Sequence, residues 1–107
     1  SERAVEALEK AAASDLPAAD RAAARTEIGN IYYQGLRDDR KAMPAFREAL
    51  RLNPREGAAA LALGTDAAQK KDVAGARRLF ETAAAALRTA LEELEEIAGE
   101  LRALAGG

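Results

Sequence analysis

Residues 42–49, AMPAFREA, and residues 76–83, ARRLFETA, share three side chains at the same spacing. In each stretch an alanine is followed after four positions by a phenylalanine, and after three more by a second alanine: Ala42, Phe46 and Ala49, then Ala76, Phe80 and Ala83. Steps of four and three place side chains on one face of an α-helix. The offset from residue 42 to residue 76, called the repeat interval below, is typical of stacked pairs of helices.

A second repeated element precedes each stretch. Ile28-Gly29 recurs as Leu63-Gly64, one position further on than the repeat interval, so one extra residue lies in the turn before Ala42. Two antiparallel helices approach closely only where small residues meet, which explains the repeated glycines and alanines. The phenylalanine of each second helix then fills the space between neighbouring pairs. Since no pair can bury its own apolar side, the pairs are expected to stack.

The composition also predicts an all-α protein. Alanine accounts for 29 of the 107 residues, whereas the chain holds two Val, three Ile, four Thr and four aromatic residues. Alanine, with Leu, Glu and Arg, favours helices, and a β-protein would need more β-branched and aromatic residues. The length suits one domain or a fragment of a larger array. The missing initiator Met and the start inside a helical pattern favour a fragment.

Prolines, glycines and capping residues predict about six helices. The first four cover about residues 2–13, 17–34, 40–52 and 55–70. Asp38 or Asp39 can cap the third helix, and Pro44 must lie close to its start because a deeper proline removes a hydrogen bond.

The region from Val73 to Ala105 can be one helix or two. Asp72 can cap its start, and only Gly75 and Gly99 weaken the helical pattern. We favour a short turn near Arg88–Ala90 that divides the region, and the alternative is one uninterrupted helix.

The repeated residues resemble the signature of the tetratricopeptide repeat (TPR) family. The first match is Ile28-Gly29-Asn30-Ile31-Tyr32, followed by Ala42, Phe46, Ala49 and Pro54, and the second is Leu63-Gly64, Ala76, Phe80 and Ala83. The chain departs from the family at the extra turn residue, at Ala67, where an aromatic is usual, and at Arg88, where a helix-ending proline is common. The resemblance implies a right-handed α-solenoid of antiparallel helix pairs.

This resemblance divides the chain into four parts. Residues 1–16 form an N-terminal helix equal to half a repeat, and residues 17–54 and 55–88 form two TPR-like repeats. Residues 89–107 form an amphipathic C-terminal helix with a capping or association role.

The resemblance further implies a concave surface, lined by the first helix of each pair, that binds an extended or helical peptide. Carried over position by position, the partner-binding residues are Thr26, Asn30, Tyr33, Gln34, Leu61, Thr65 and Gln69. Amide side chains in this set can hydrogen-bond a peptide backbone, and Tyr33 and Leu61 offer apolar contact. The alternative interpretation is that these residues are solvated or seal the helix pairs.

The C-terminal segment is amphipathic. Leu91, Leu94 and Leu101 lie on one face, and five glutamates between residues 92 and 100 lie mostly on the other. The favoured interpretation is a helix that caps the last repeat. The alternative is an association face that packs on a second copy, since the apolar spacing also suits a coiled-coil seam.

Several classes of site are excluded by composition. The chain has no Cys and no His, which removes disulfides, thiol nucleophiles, imidazole bases and nearly every zinc or haem site. Its net charge of −2 argues against binding to nucleic acid.

Apolar runs long enough for a membrane span are absent from the sequence. SERAVEALEK has no signal-peptide core, which favours the cytoplasm. Asp38-Asp39 reads as capping residues rather than a metal or catalytic pair.

We therefore expect a non-catalytic scaffold or protein–protein interaction module, with no cofactor, metal or catalytic residue. Its partner is expected to be a protein, as a peptide or a helix, and a homo-oligomer is possible. The alternative is a designed or engineered helical-repeat building block that self-associates through its C-terminal helix.

Overall fold

The computed structural model describes residues 2–106, which form an all-α protein of five helices with no β-strand in that range. The helices are α1 (Glu2–Ala12), α2 (Ala18–Asn30), α3 (Asp39–Leu52), α4 (Gly57–Gln69) and α5 (Val73–Gly106). α2 continues directly into a π-helical turn, Ile31–Gly35. Consecutive helices pack on one another, and the molecule measures 53 × 35 × 24 Å.

The turns that begin α3 and α5 are equivalent and lie one repeat interval apart. In both, the residue before the cap adopts a left-handed conformation, with φ of 54° at Arg37 and 66° at Lys71. The next residue, Asp38 or Asp72, accepts a hydrogen bond from the backbone N–H three positions on, at 3.2 and 3.0 Å respectively. Both aspartates therefore cap their helices, as the sequence predicts.

The π-helical turn Ile31–Gly35 explains the extra residue of the first repeat. The left-handed Arg37 is the eighth residue after Gly29, whereas the left-handed Lys71 is the seventh after Gly64. A π-helical turn bonds residue i to i+5 and so holds one residue more than an α-helical turn. The insertion is thus absorbed within the helix, and the turns that follow keep the same conformation.

Pro44 lies deeper in its helix than the sequence predicts. It is the sixth residue of α3, which starts at Asp39. Because proline has no N–H, the α-helical hydrogen bond to the Arg40 carbonyl is missing. α3 still continues to Leu52, since residues on either side of the proline, Phe46 among them, are buried and hold the helix in place.

α2 and α3 form an antiparallel pair. Gly29 of α2 lies against the ring of Phe46 in α3. One turn further along, the ammonium group of Lys41 lies 5.5 Å from the centre of the Tyr32 ring. A later residue of the first helix thus meets an earlier residue of the second, which defines the antiparallel direction.

α4 and α5 repeat this arrangement. Gly57, the first residue of α4, faces Ala86, and Gly64, one to two turns later, faces Phe80. Gly29 and Gly64 both lie against a phenylalanine ring, so the two pairs use the same small-residue crossing at equivalent positions.

The core is centred on Phe46, the largest side chain that is fully buried. Its cluster joins α3 to α4 and consists of Ala42, Met43, Phe46, Ala49, Ala59 and Leu63. The ring therefore occupies the space between the α2–α3 pair and the first helix of the next pair. Phe80, its equivalent in the second pair, is 38% exposed.

The predicted turn near Arg88–Ala90 is wrong, and the helices number five rather than six. α5 is one helix of 34 residues. The residues at the expected break all tolerate helical conformation, and no proline follows Pro54 to end the helix. Since α4 begins opposite Ala86, the segment from Leu87 to Gly106 extends about 30 Å past the start of α4.

Candidate functional site

An apolar groove runs between α4 and α5, and none of its lining residues belongs to α3. Its volume is about 580 Å³, and its lining includes Ala58, Leu61, Phe80, Ala83, Ala84 and Leu87. Leu61 and Leu87 are both more than half exposed. Alanine, leucine and phenylalanine side chains offer neither charges nor hydrogen-bonding groups. The groove can therefore bind only through apolar contact and shape.

The equivalent groove of the first pair is already filled. There, Phe46 and Ala49 of α3 pack against Ala59 and Leu63, which belong to α4. Phe80 and Ala83 occupy the same positions one repeat interval later, and no further helix covers them in the described range. The chain thus shows, within itself, that this type of groove accepts a helix.

Thr26, one of the residues predicted to bind a partner, seals the filled groove instead. It is 5% exposed, and its hydroxyl donates a 2.7 Å hydrogen bond to a carboxylate oxygen of Glu56, the residue before α4. Its equivalent in α4 is Leu61, which is exposed. Thr26 is therefore buried at the contact between α2 and the start of α4.

Three other predicted residues are brought together. Tyr33, Gln34 and Gln69 line a polar depression of about 550 Å³, together with Arg37 and Asp39. The Tyr33 ring packs edge-on against Phe46 with 6.4 Å between ring centres, so its position is fixed by the core. The depression offers amide, phenol, guanidinium and carboxylate groups, which suit a polar ligand such as a peptide backbone.

The remaining predicted residues, Asn30, Thr65 and Leu61, do not line the polar depression. Asn30 is half-buried at the end of α2, and the Thr65 hydroxyl donates to the Leu61 carbonyl in its own helix at 2.9 Å. Leu61 lines the apolar groove rather than the polar depression. The predicted binding residues therefore do not share one surface, since three line the polar depression, Leu61 lines the apolar groove and the other three line neither.

The apolar groove continues into an exposed stripe along α5. Leu91, Leu94 and Leu101, the predicted association residues, are each at least 50% exposed. Ile97 and Leu104 widen the stripe, and Leu104 is 80% exposed. These side chains are exposed along the segment and are not packed on the last helix pair. They extend the apolar surface beyond the groove.

Within residues 2–106, the one ion pair with a clear effect on a pKa lies outside both depressions. The Arg51 guanidinium hydrogen-bonds the Glu48 carboxylate one turn away in α3, which lowers the pKa of Glu48 and raises that of Arg51. Neither side chain lines the apolar groove or the polar depression. This pair stabilises an exposed part of α3 and supplies no chemistry to a site.

The sequence predicts a buried contact for Phe80, whereas the structure places it in the lining of an open groove. The repeat interval was the available signal, because Phe46 needs α4 to cover it and Phe80 needs a later helix in the same position. Such a helix would require the predicted break near Arg88, and α5 has no break there.

Comparisons with known proteins complete the description of the site. Within residues 2–106, no helix is both long enough and apolar enough to cross a membrane. Comparison with protein-family models, with curated proteins and with solved structures finds no match for this chain. The apolar groove, the polar depression and the stripe of α5 are therefore the features that bear on function.

Proposed function

We propose that this chain is a non-catalytic protein-interaction module that binds a partner helix in the apolar groove between α4 and α5. One observation carries the proposal: α4 fills the groove of the first pair by packing on Phe46 and Ala49, and the equivalent Phe80 and Ala83 line an uncovered groove in the second pair. The partner would place small and aliphatic side chains on Phe80 and Ala83, as Ala59 and Leu63 do on the first pair.

The lining of the groove favours a helix over an extended peptide. An extended peptide leaves its backbone N–H and C=O groups without partners, and burying them is unfavourable unless the site hydrogen-bonds them. The side chains of this groove offer no such bonds. A helix satisfies its own backbone and presents only side chains, which is how amphipathic helices bind apolar grooves.

The proposal also includes a TPR-like solenoid arrangement of the helix pairs. Its support is the equivalence of the two turns and crossings: left-handed Arg37 matches Lys71, and capping Asp38 matches Asp72, each at the repeat interval. In such an array each pair presents a groove to the next helix.

The Leu61→Glu variant tests the groove. Helical peptides are first selected by display against the parent protein, and their affinities are then measured by fluorescence anisotropy. A carboxylate in an apolar groove must be desolvated when a helix covers it, so we expect binding at least tenfold weaker. Leu36→Glu is the matched control, because Leu36 is 55% exposed and lies outside the groove. Equal affinities for the two variants would contradict the proposal.

The polar depression supports a second candidate function, the binding of an extended peptide. Tyr33, Gln34 and Gln69 gather there with Arg37 and Asp39, and amide side chains can pair with a peptide backbone. We expect the double variant Gln34→Ala, Gln69→Ala to weaken the binding of a selected non-helical peptide about thirtyfold, at about 1 kcal/mol for each lost hydrogen bond. Leu61→Glu should leave that affinity unchanged in the same titration. Loss of binding in Leu61→Glu alone would assign the peptide to the apolar groove.

A further inference from the structure

Building on the proposed function, we propose that the partner helix is α5 of a second copy of this chain. The two α5 helices run antiparallel about a two-fold axis, and the C-terminal part of each enters the α4–α5 groove of the other.

The seam extends along most of α5. Its members recur at alternating steps of four and three: Phe80, Ala84, Leu87, Leu91, Leu94, Ala98, Leu101 and Ala105. Because α5 is uninterrupted, the seam runs through almost four heptads, the length at which such a pattern indicates a coiled coil. It is about 38 Å long. Its large members are 38–61% exposed, so no described residue of the same chain covers them fully.

Antiparallel pairing matches large seam residues with small ones. With the two-fold axis between Leu91 and Leu94, these two leucines meet in the centre. The outer layers are Leu87 with Ala98, Ala84 with Leu101, and Phe80 with Ala105. Parallel pairing would instead place Ala84, Ala98 and Ala105 each against its own copy and leave cavities, which are unfavourable. The order of residue sizes therefore favours the antiparallel direction.

The flank of the seam nearer to α4 shows the same complementarity. Ala83, Ala90, Ile97 and Leu104 line it at steps of seven. In the antiparallel register Ala83 meets Leu104 of the second copy, and Ala90 meets Ile97. Ala83 also lines the apolar groove beside Leu61, so the highly exposed Leu104 enters that groove.

The opposite flank carries charges of alternating sign. Glu81, Arg88, Glu95 and Arg102 lie at steps of seven. In the antiparallel register Arg88 faces Glu95 of the second copy, and Glu81 faces Arg102, so each contact joins opposite charges and occurs twice. In a parallel dimer, these charged residues would instead lie opposite the apolar flank of the second copy. Among the described residues, the ion pairs involve none of these four side chains.

Charge reversal tests the register. Arg88→Glu and Glu95→Arg each turn two attractive contacts of the dimer into repulsive ones. At low ionic strength we expect each variant alone to raise the dimer Kd about tenfold. An equimolar mixture should restore the parent Kd, because the heterodimer contains only attractive contacts at these sites, and so should the double variant. Sedimentation velocity measures the mass against twice the 11.3 kDa of one chain.

Disulfide formation tests the direction independently, since the chain has no cysteine of its own. Ala84→Cys and Leu101→Cys proteins are mixed and oxidised under mild conditions. We expect the mixed disulfide to predominate, because residues 84 and 101 share a layer in the antiparallel register. Predominance of disulfides between two copies of the same variant would overturn the proposal.

The outcomes separate this proposal from the proposed function. A chain that is monomeric at all concentrations but binds selected helical peptides overturns the second copy as partner and leaves helix binding intact. If the expected disulfides form but Leu61→Glu leaves the dimer Kd unchanged, the antiparallel pairing is supported. That result would contradict the proposal that the second copy enters the α4–α5 groove. Unaltered helicity by circular dichroism in every variant shows that the fold is retained.

Discussion

Phe46→Ala should lower the free energy of unfolding by about 3–5 kcal/mol, the usual loss when a buried phenylalanine is truncated. The ring is completely buried and joins α3 to Ala59 and Leu63 of α4. Alanine would leave a cavity between the two helix pairs, which the helices can only partly close. Since domains of this size have about 5–15 kcal/mol of stability, the loss is a large part of the total.

Urea denaturation followed by circular dichroism at 222 nm measures this loss. Phe80→Ala is the matched control, because Phe80 occupies the equivalent position but is 38% exposed. At concentrations at which the protein is monomeric, it should cost about 1–2 kcal/mol, since less apolar area leaves water on folding. Equal losses for the two variants would show that α4 does not bury Phe46 as the structure describes.

Gly29→Ala should also destabilise the protein, although alanine is the better helix former. A Cβ atom at this position would lie 2.6–2.8 Å from three atoms of the Phe46 ring. The ring is buried on all sides and has no space to move into. Such overpacking costs about 1–3 kcal/mol, against a gain of about 1 kcal/mol in helix propensity. We expect a net loss of up to about 2 kcal/mol.

Gly64→Ala provides the comparison in the same denaturation experiment. Its Cβ would lie 2.8 Å from the Phe80 ring, almost as close as in the first pair. That ring borders the open groove and can shift towards solvent. We expect stability within about 0.5 kcal/mol of the parent protein, because the gain in helix propensity offsets the shift. A loss as large as that of Gly29→Ala would mean that Phe80 is as confined as Phe46.

The expected results for these variants have one cause: residues at equivalent positions have different surroundings in the two pairs. The first pair is covered by the helix that follows it, α4, whereas no helix follows the second pair within the described residues. The groove, the exposed phenylalanine and the uncovered stripe of α5 all follow from that difference. Stability is therefore concentrated in the first pair and its contact with α4, and the proposed binding surface lies in the second.

The sequence by itself determined the helical class and most of the helix boundaries. Alanine-rich composition, Pro17, Pro54 and the capping aspartates act locally, through backbone propensity and hydrogen bonds within a few residues. The small residues at Gly29 and Gly64 identified the crossing points of the pairs, since a side chain there would collide with the facing ring.

Only the tertiary structure decided the course of α5 and the availability of the site residues. No local signal ends the helix at Arg88, and a helix without a break continues unless packing bends it back. Thr26 and Leu61 occupy equivalent positions, yet α4 buries the first and nothing in the described chain covers the second. Burial depends on which neighbour is present, a long-range property that the spacing of residues along one helix does not encode.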